Sequence, residues 1–489
     1  MFRTQRLAIL LLVAAVTLGS FGANAATTRY VRTDGNHGYY LNFYWGRVFI
    51  VNVCNNGDNP CRHINDAIKY ASRGDLIKVA QGTYRESLHV RAYGTSRYPN
   101  KTNVVIQGGW SQDFTTHDDN FTRTTIWNSA GQPHRFTASS SASGDLGLTF
   151  EDLEFRLSAD SAMQITSGNV SNDFGTYTSW RKRGQVTLTL RNVHLQGSED
   201  WLYQTSSSID ATSGRYSYLT LNLIDVHGNA RIKASSRSYT GIPSLADPDW
   251  SRLTLNVRRS RIHGIYERGR GLDVLARGSG AEAVVSVKES VVRHIDGAGV
   301  YADVEEGGLV SLDIENSFLV ENEGYGLDVH GGIDANVRYS TISGNEAGGI
   351  FTDGGEMNLT NTIVWGNVSS SSYRSVWDLK VSGGTASASD SDVGGVFVAS
   401  WAVYEEGPGV VDVDPRFDRL GVEEWAANGF HLKGDSPLID RGICGDGDEY
   451  DFDGDERPLG KSCEIGADEV LGLAVSTTPF KSWSWSWGR

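Results

Sequence analysis

Long apolar runs are nearly absent from this chain of 489 residues, and the one present stands at its beginning. Residues 7–18 are predominantly apolar, follow Arg3 and Arg6, and precede the small residues Ala23 and Ala25. This order is typical of a signal peptide, and the run is too short to span a bilayer. We therefore predict a signal peptide at residues 1–25 and no transmembrane helix in the mature chain. We expect the protein to be secreted or displayed on the outer cell surface.

Positive charge is scarce relative to negative charge. The chain has 44 Lys and Arg residues against 59 Asp and Glu residues, a formal net charge of −15. Nucleic-acid-binding proteins need a basic surface to contact phosphates, so we expect no nucleic-acid partner. The acidic excess is consistent with solubility or with cation binding.

Cysteine is also rare. The chain contains four cysteines, Cys54, Cys61, Cys444 and Cys463. Their spacings match no zinc pattern, and four cysteines allow three pairings. The two local pairings close short loops near the ends of the chain. We therefore predict the disulfides Cys54–Cys61 and Cys444–Cys463.

Helical periodicity is confined to one short stretch. Ile64, Ala67, Ile68 and Ala71 fall on one helical stripe. The first coil of a stacked structure exposes a sheet edge and an apolar cross-section, which need a cover. We predict that this helix provides the cover, within an N-terminal cap at residues 26–75.

A motif repeated five times fills residues 253–367. Its anchors are separated by 30, 27, 23 and 22 residues, and the positions five before, three before and two after each anchor are apolar. The anchors are Ser260, Ser290, Ser317, Ser340 and Thr362. Spacing by two indicates strands with one buried face, and repetition at this length indicates a solenoid.

A second strand follows in four of these coils, with the inward residues Leu272, Val300, Leu327 and Ile350. A column of asparagines five residues after the anchors suits a corner of the coil; it consists of Asn322, Asn345 and Asn367. Since parallel crossovers are almost always right-handed, we predict an all-β fold, a right-handed parallel β-helix of roughly ten coils over residues 76–410.

Three stretches resemble a known group of proteins. "INDAIKYASRGDLIKVAQGTYRE" at 64–86 and "VVIQGGWSQDFTTHDDNFTRTTI" at 104–126 resemble bacterial secreted right-handed β-helix proteins of the pectate-lyase-like superfold. The segment at 411–470, with "DFDGDERPLGKSCEIGADE", resembles the C-terminal segment of choice-of-anchor Q proteins. The resemblance implies the fold and export. From the chain itself we expect residues 411–470 to form a disulfide-closed cap at the far end of the solenoid, followed by a Trp-rich tail at 471–489. The resemblance leaves the activity open, because the superfold hosts many functions.

The outward residues of the second strand are the candidate site. They form two rows, one of Asp273, Tyr301, Asp328 and Phe351, and one of Asp303, His330 and Asp353. Tyr301 and Phe351 could stack on sugar rings, and Asp273 could bind hydroxyl groups. The candidate catalytic residues are Asp303, Asp328, His330 and Asp353, since paired carboxylates can perform acid–base chemistry. The alternative is an ordinary solvated face.

A lyase is one enzymatic alternative. Lyases of the superfold use an Arg or Lys base beside calcium-binding Asp residues. Arg268 and Arg270, which lie near Asp273, are candidate substrate-binding residues that could serve such a lyase, and the alternative is a solvated turn. The complete Asn-Thr-Asp, Asp-Asp and Gly-His-Gly set of the related hydrolases is absent from the sequence. Our main hypothesis is polysaccharide or cell-surface glycan binding. The alternatives are a lyase or hydrolase acting on acidic polysaccharide, and a structural adhesin.

An acidic run near the C-terminus is the candidate metal site. Asp451, Asp453 and Asp455 alternate with other residues in a Gly-containing stretch, a pattern that can wrap oxygen ligands around Ca²⁺. The EF-hand pattern is incomplete, and an acidic turn between Cys444 and Cys463 is the alternative interpretation.

Overall fold

The computed structural model describes most of the chain between residues 26 and 470. The described ranges are 26–36, 53–92, 100–128, 132–138, 144–157, 162–168, 183–197, 208–238, 250–265, 269–367, 377–418, 429–445 and 449–470. The predicted signal peptide and the Trp-rich tail lie outside them.

The described residues form thirty strands, one α-helix and one short 3-10 helix. The helices are α1 (Ile64–Tyr70) and the 3-10 helix Phe121–Arg123. In chain order the strands are β1 (Thr28–Asn36), β2 (Leu76–Ala80), β3 (Gly82–Arg85), β4 (His89–Ala92), β5 (Lys101–Trp110), β6 (Thr124–Trp127), β7 (His134–Ala138), β8 (Asp145–Arg156), β9 (Met163–Ser167), β10 (Gly184–Gln196), β11 (Ser208–Ser213), β12 (Ser217–Gly228), β13 (Arg231–Arg237), β14 (Ser251–Arg258), β15 (Arg261–Ile265), β16 (Leu272–Arg277), β17 (Ala281–Lys288), β18 (Val291–Ile295), β19 (Val300–Glu305), β20 (Leu309–Glu315), β21 (Phe318–Val320), β22 (Tyr325–His330), β23 (Ile333–Arg338), β24 (Thr341–Ser343), β25 (Gly348–Thr360), β26 (Ile363–Val364), β27 (Leu379–Ser389), β28 (Asp392–Val393), β29 (Val396–Val398) and β30 (Val403–Glu406).

These strands stack into three parallel ladders. Ladder A runs β1, β2, β5, β8, β10, β12, β14, β17, β20, β23, β25, β27 and β30. Ladder B runs β3, β6, β8, β10, β12, β15, β18, β21, β24, β26 and β28. Ladder C runs β4, β7, β9, β11, β13, β16, β19, β22, β25, β27 and β29. Because successive strands of each ladder come from successive coils of the chain, the predicted parallel β-helix is confirmed.

The predicted coil register is also confirmed. Val287 pairs with Val257 and Ile314, and Ile314 pairs with Val337, all at inward positions of ladder A. Each of these side chains is at most 1% exposed. The core is therefore a continuous stack in which each apolar side chain packs on its counterparts in the coils before and after it.

Hydrogen-bonded columns of polar side chains mark two corners of the coils. Asn322 donates through Nδ2 to Oδ1 of Asn345, and Asn345 donates likewise to Asn367, both at 2.8 Å. At the corner between ladders A and B, the backbone N–H of Ser260 donates to the hydroxyl of Ser290 at 3.1 Å. The predicted Asn corner is confirmed, and its buried side chains also satisfy backbone groups at the bends.

The N-terminal helix is present as predicted. Ile64, Ala67 and Ile68 of α1 are buried, and the helix packs against β1, β2 and β4 at the first coil. Strand β1 lies ahead of α1 in the chain and extends ladder A by one strand beyond β2. Helix and strand together cover the apolar cross-section of the first coil, as the N-terminal cap requires.

Both predicted disulfides have formed. Cys54–Cys61 lies just before α1 in the chain, and Cys444–Cys463 lies within the C-terminal segment. The described residues contain no free cysteine. Each bridge therefore staples an irregular stretch that has few ladder hydrogen bonds of its own.

The C-terminal segment folds back along ladder B. Phe318 and Ile363, at outward positions of this ladder, pack in one apolar cluster with Phe430, Leu438 and Ile465 of the segment. The sequence suggests a cap over the far end of the solenoid, whereas these apolar contacts lie along its side. Ladder B is thus buried on both faces here, which explains why the three residues of β21 are all apolar.

Buried charges link the segment to the coils. The side chains of Arg457 and Glu469 form a fully buried ion pair, and Arg457 also donates to Asn316 of the solenoid at 3.3 Å. Glu464 is fully buried next to Glu469, and its carboxylate receives no hydrogen bond from an N–H group within the described ranges. Burial, and next the adjacent Glu469, raise the pKa of Glu464 to about 9.

Replacing Ile314 tests the coil register. Ile314→Ala should lower the free energy of unfolding by about 2–5 kcal/mol, because it leaves a cavity in a fully buried column. Asp313→Ala is the matched control, since Asp313 points outward and its ion pairs with Lys288 and Arg338, at 3.5 and 3.6 Å, are solvent-accessible. The control should cost less than about 1 kcal/mol. Equal losses in chemical denaturation would contradict the register.

Glu464 should make the stability of the protein pH-dependent. Its pKa is higher in the folded state than the ~4.3 of an unfolded chain, so its stabilising contribution is complete below that value and is lost as pH rises through the folded pKa. Between these limits the slope approaches about 1.4 kcal/mol per pH unit. The melting temperature should therefore fall as pH rises from the unfolded to the folded pKa of Glu464, and Glu464→Gln should make this fall smaller.

The matched control for this experiment is Glu356→Gln, which alters an exposed glutamate of ladder A. It should leave the pH dependence of the melting temperature unchanged. If Glu464→Gln showed the same decline as the wild-type protein, Glu464 would not be its cause.

Candidate functional site

The outward residues of ladder C lie in the rows that the sequence predicts. Asp273 pairs with Tyr301, Tyr301 with Asp328, and Asp328 with Phe351 across four successive coils. Buried residues alternate with these along each strand and fix which side chains face out. The first predicted row is therefore a physical column on the surface of the solenoid.

The second row runs beside the first. Asp303 pairs with His330, two residues beyond the first row on the same strands. We call the whole surface the ladder C strip; its residues are Arg231, Lys233, Arg270, Asp273, Tyr301, Asp303, Asp328, His330, Phe351, Asp353 and Lys380.

Two arginines hold one end of the strip. Arg231 and Arg270 contact the two carboxylate oxygens of Asp273 at 2.5 and 3.0 Å. The guanidinium of Arg270 also lies over the ring of Tyr301, 3.1 Å from its centroid, which is a cation–π contact. Arg270 therefore contacts both Asp273 and Tyr301. A lyase needs a base that can accept a proton from the substrate, and an arginine held by a carboxylate is poorly suited to that role. Arg268, the other candidate base, lies outside the described residues.

Two carboxylates bracket His330 at the centre of the strip. Nε2 of His330 is 2.8 Å from Asp328, and Nδ1 is 3.1 Å from Asp353. Asp353 also accepts the backbone N–H of Gly331 at 2.7 Å, which orients its carboxylate. The imidazole is therefore held from both sides by acids of two different coils.

Asp303 joins this group through Tyr301. The hydroxyl of Tyr301 donates to Asp303 at 3.2 Å, and the ring of Tyr301 packs against that of His330. Asp328 and Asp353 lie on either side of the same imidazole. The structure thus brings the four candidate catalytic residues into one cluster.

Aromatic rings form a continuous row across the same coils. The ring of His330 lies 5.2 Å from that of Tyr301 and 5.1 Å from that of Phe351, measured between centroids. At the far end, the ammonium group of Lys380 lies 5.2 Å from the centroid of Phe351. Tyr301 and Phe351 remain partly exposed, so each ring keeps some apolar surface for a ligand.

Burial changes the acidity of two groups in the strip. It raises the pKa of Asp328, an effect that the neighbouring His330 opposes. Burial also raises the pKa of Tyr301 to about 12, with Arg270 opposing. A raised pKa favours the protonated form of a carboxyl group, so Asp328 is a candidate for general acid chemistry.

The predicted calcium ligands are placed differently from one another. Asp451 is buried, and its carboxylate accepts the backbone N–H groups of Asp453, Asp455 and Glu469 at 2.8–2.9 Å. Asp455 is exposed, whereas Asp453 lies 3.2 Å from His431. Asp451 therefore shapes the turn through backbone groups, and Asp453 points towards another part of the segment. Calcium binding stays a prediction.

Three members of the strip, Arg231, Lys233 and Lys380, are not predicted from the sequence. Lys233 pairs with Asp273, and Lys380 pairs with Phe351. The alternating pattern of β13 resembles that of β16, but its paired residues Ile232 and Leu272 are 40 positions apart. This interval exceeds the 22–30 residues of the regular repeat, so the coil fell outside the pattern.

One family model matches part of the chain. Residues 271–391 match the family described as right handed beta helix region. The match covers most of the ladder C strip and stops short of the C-terminal segment, whose resemblance to choice-of-anchor proteins stays a prediction. No curated protein matches the chain.

Two solved structures are similar to the chain. One is a pectate lyase, Pel9A, with 13% identity, coverage of 92% of this chain and 97% of that chain, and a TM-score of 0.39. The other is a rhamnogalacturonan lyase, with 12% identity, coverage of 83% and 95%, and a TM-score of 0.35. Similarity at this level assigns no role to any residue of this chain. Within the described ranges, no helix has the length and apolar character needed to cross a membrane.

Proposed function

We propose that this protein binds a polysaccharide along the ladder C strip. The observation that carries the proposal is the row of Tyr301, His330 and Phe351 rings, flanked by carboxylates, on an outward face of the coils. Aromatic faces stack on the apolar faces of sugar rings, and carboxylates accept hydrogen bonds from hydroxyl groups. A long row that mixes both kinds of group suits a chain of repeated units.

The dimensions of the strip support a short run of sugar units. Neighbouring coils lie ~4.8 Å apart, so the four coils from Asp273 to Phe351 extend over ~15 Å, about the length of three sugar rings. Arg231 and Arg270 lie at one end and Lys380 at the other, while the carboxylates around His330 lie between them. The strip therefore offers hydrogen-bond donors at its ends and acceptors at its centre.

The proposed place of action is outside the cell. The signal-peptide pattern at residues 1–25 and the two disulfides support it, because disulfides persist in oxidising compartments. The resemblance of residues 411–470 to choice-of-anchor proteins further supports display at a surface.

Removing the two rings tests the binding proposal. The double variant Tyr301→Ala, Phe351→Ala should weaken binding to the best ligand of a glycan array at least about tenfold, since stacking on each ring contributes about 1 kcal/mol or more. Folding should be retained because both side chains are outward and only partly buried. Isothermal titration with the purified oligosaccharide measures the change.

Tyr218→Ala is the matched control, because Tyr218 is an outward tyrosine on ladder A whose ring lies 4.8 Å from that of Trp250. It should bind as the wild-type protein does. Unchanged affinity in the double variant would place the site elsewhere, and the absence of any glycan ligand would favour a structural adhesin.

A catalytic function is the second candidate, and the raised pKa of Asp328 beside His330 favours it. In such an enzyme Asp328 would donate a proton to the leaving oxygen of an acidic polysaccharide. Hydrolysis and lyase cleavage both leave a new reducing end, but only a lyase also leaves an unsaturated end that absorbs ultraviolet light.

Asp328→Asn separates binding from catalysis. It keeps the shape of the side chain and removes the titratable group, so an enzyme should lose turnover by about 10²-fold or more and still bind. A protein that only binds should show no turnover in either form, with a modest loss of affinity in the variant. Reducing-end and ultraviolet assays on uronate polymers, with and without Ca²⁺, make the distinction. Equal turnover in both forms would exclude Asp328 as the acid.

A further inference from the structure

Three stretches of the C-terminal segment bring potential metal ligands together. His431, Asp453 and Asp468 each offer one donor atom, and these atoms all lie within 4.8 Å of one another. His431 lies next to Leu432, which bridges to Phe417, whereas Asp453 belongs to the acidic turn and Asp468 lies close to the end of the described chain. The fold of the segment therefore brings together residues that are up to 37 positions apart in the sequence.

Hydrogen bonds hold the carboxylates of this trio in place. The backbone N–H of Leu432 donates to Oδ2 of Asp468 at 3.0 Å, which ties Asp468 to the neighbour of His431. Asp451 accepts the N–H groups of Asp453 and Glu469, and so ties the acidic turn to the neighbour of Asp468. The backbone N–H of Leu432 and the carboxylate of Asp451, neither of which belongs to the trio, therefore hold the trio in place.

The imidazole is held by the solenoid. The ring of His431 packs against Phe318 of ladder B, with centroids 5.9 Å apart. Nε2 of His431 is shielded from solvent and makes no hydrogen bond within the described ranges, although it is 3.2 Å from Asp453. Asp468 is only 7% exposed. A buried nitrogen aimed at carboxylates, without a well-directed hydrogen bond, is a costly arrangement unless something lies between them.

Carboxylates outnumber guanidinium groups around the trio. The charges of Asp451 and Asp453 repel a carboxylate at Asp468, and the guanidinium of Arg457 attracts it. That guanidinium is already engaged in the buried ion pair described above. Arg261 of ladder B acts on Asp453 at longer range. A divalent cation would supply the positive charge that these carboxylates lack.

We propose that His431, Asp453 and Asp468 bind a divalent transition-metal ion of the zinc class. The imidazole nitrogen favours zinc and its neighbours over calcium, which prefers six to eight oxygen ligands. The side chain of Asp453 is 44% exposed, so one side of the site is open to solvent. The ion would hold three stretches of the C-terminal segment together against ladder B. This site differs from the calcium site expected from Asp451, Asp453 and Asp455.

Metal titration of the full mature chain, without a histidine tag and after treatment with a chelator, tests the proposal. Zinc should bind with one ion per chain at micromolar concentration and raise the melting temperature, because a ligand of the native state stabilises it by mass action. Calcium at the same concentration should bind much more weakly. Co²⁺ should give visible absorption bands that report its ligands.

His431→Ala, Asp468→Asn and Asp453→Asn should each abolish the saturable zinc binding and the Co²⁺ bands. Asp453→Asn changes the most exposed of the three side chains and so disturbs folding least. Asp455→Asn is the control, since Asp455 is an exposed acid of the same turn that is not in the trio. It should bind zinc as the wild-type protein does. Circular dichroism and the melting temperature in chelator show whether each variant is folded.

Two results would overturn the proposal. If the wild-type protein takes up no zinc, His431 and Asp453 form only an ion pair. If folded variants of the trio bind zinc as tightly as the control does, the ion is held elsewhere. Neither result bears on glycan binding, which depends on the ladder C strip.

Discussion

In-register stacking of the coils is the constraint on which the rest of this structure depends. Each inward side chain of a ladder must meet its counterpart in the next coil, because the stacked column is what buries the core. The spacing of the anchors falls from 30 to 22 residues, yet the paired residues stay in register. The turns absorb part of the difference: seven positions separate Ile265 from Leu272, and five separate Val320 from Tyr325. Strand pairing is therefore kept along the solenoid while loop length is free to vary.

The same constraint gives the ladders different roles. The outward face of ladder B carries Phe318 and Ile363, which would be exposed apolar surface if the C-terminal segment did not cover them. Ladder C carries charged and aromatic residues at the corresponding outward positions. One ladder is thus used for packing within the chain and another presents polar chemistry, although both follow the same inward pattern.

Much of the fold could be predicted from the sequence, because inward residues obey a period of two that repeats with each coil. The columns through Val287 and Leu327 needed no knowledge beyond this pattern. The corner before each anchor was harder to predict. Arg259, Glu289 and Tyr339 adopt positive φ there, a conformation that local preference assigns to Gly or Asn, so the stacking of the coils overrides the local preference of these residues.

The ladder C strip was predictable for the same reason as the core, since its residues alternate with the inward column. The grouping of His431 with Asp453 and Asp468 was not, because no periodicity connects three stretches of an irregular segment.

A site built on a solenoid has its chemistry set by distant parts of the sequence. His330 lies between Asp328 of its own coil and Asp353 of the next, while Arg270 covers Tyr301 from the preceding coil. His330, Asp353, Arg270 and Tyr301 each therefore contact a group one coil away, at a separation that the backbone ladder fixes. A change in one coil must alter the hydrogen bonding and acidity of the coils beside it. The strip thus behaves as one extended surface and not as a set of independent residues, which is the property that recognition of a linear polymer requires.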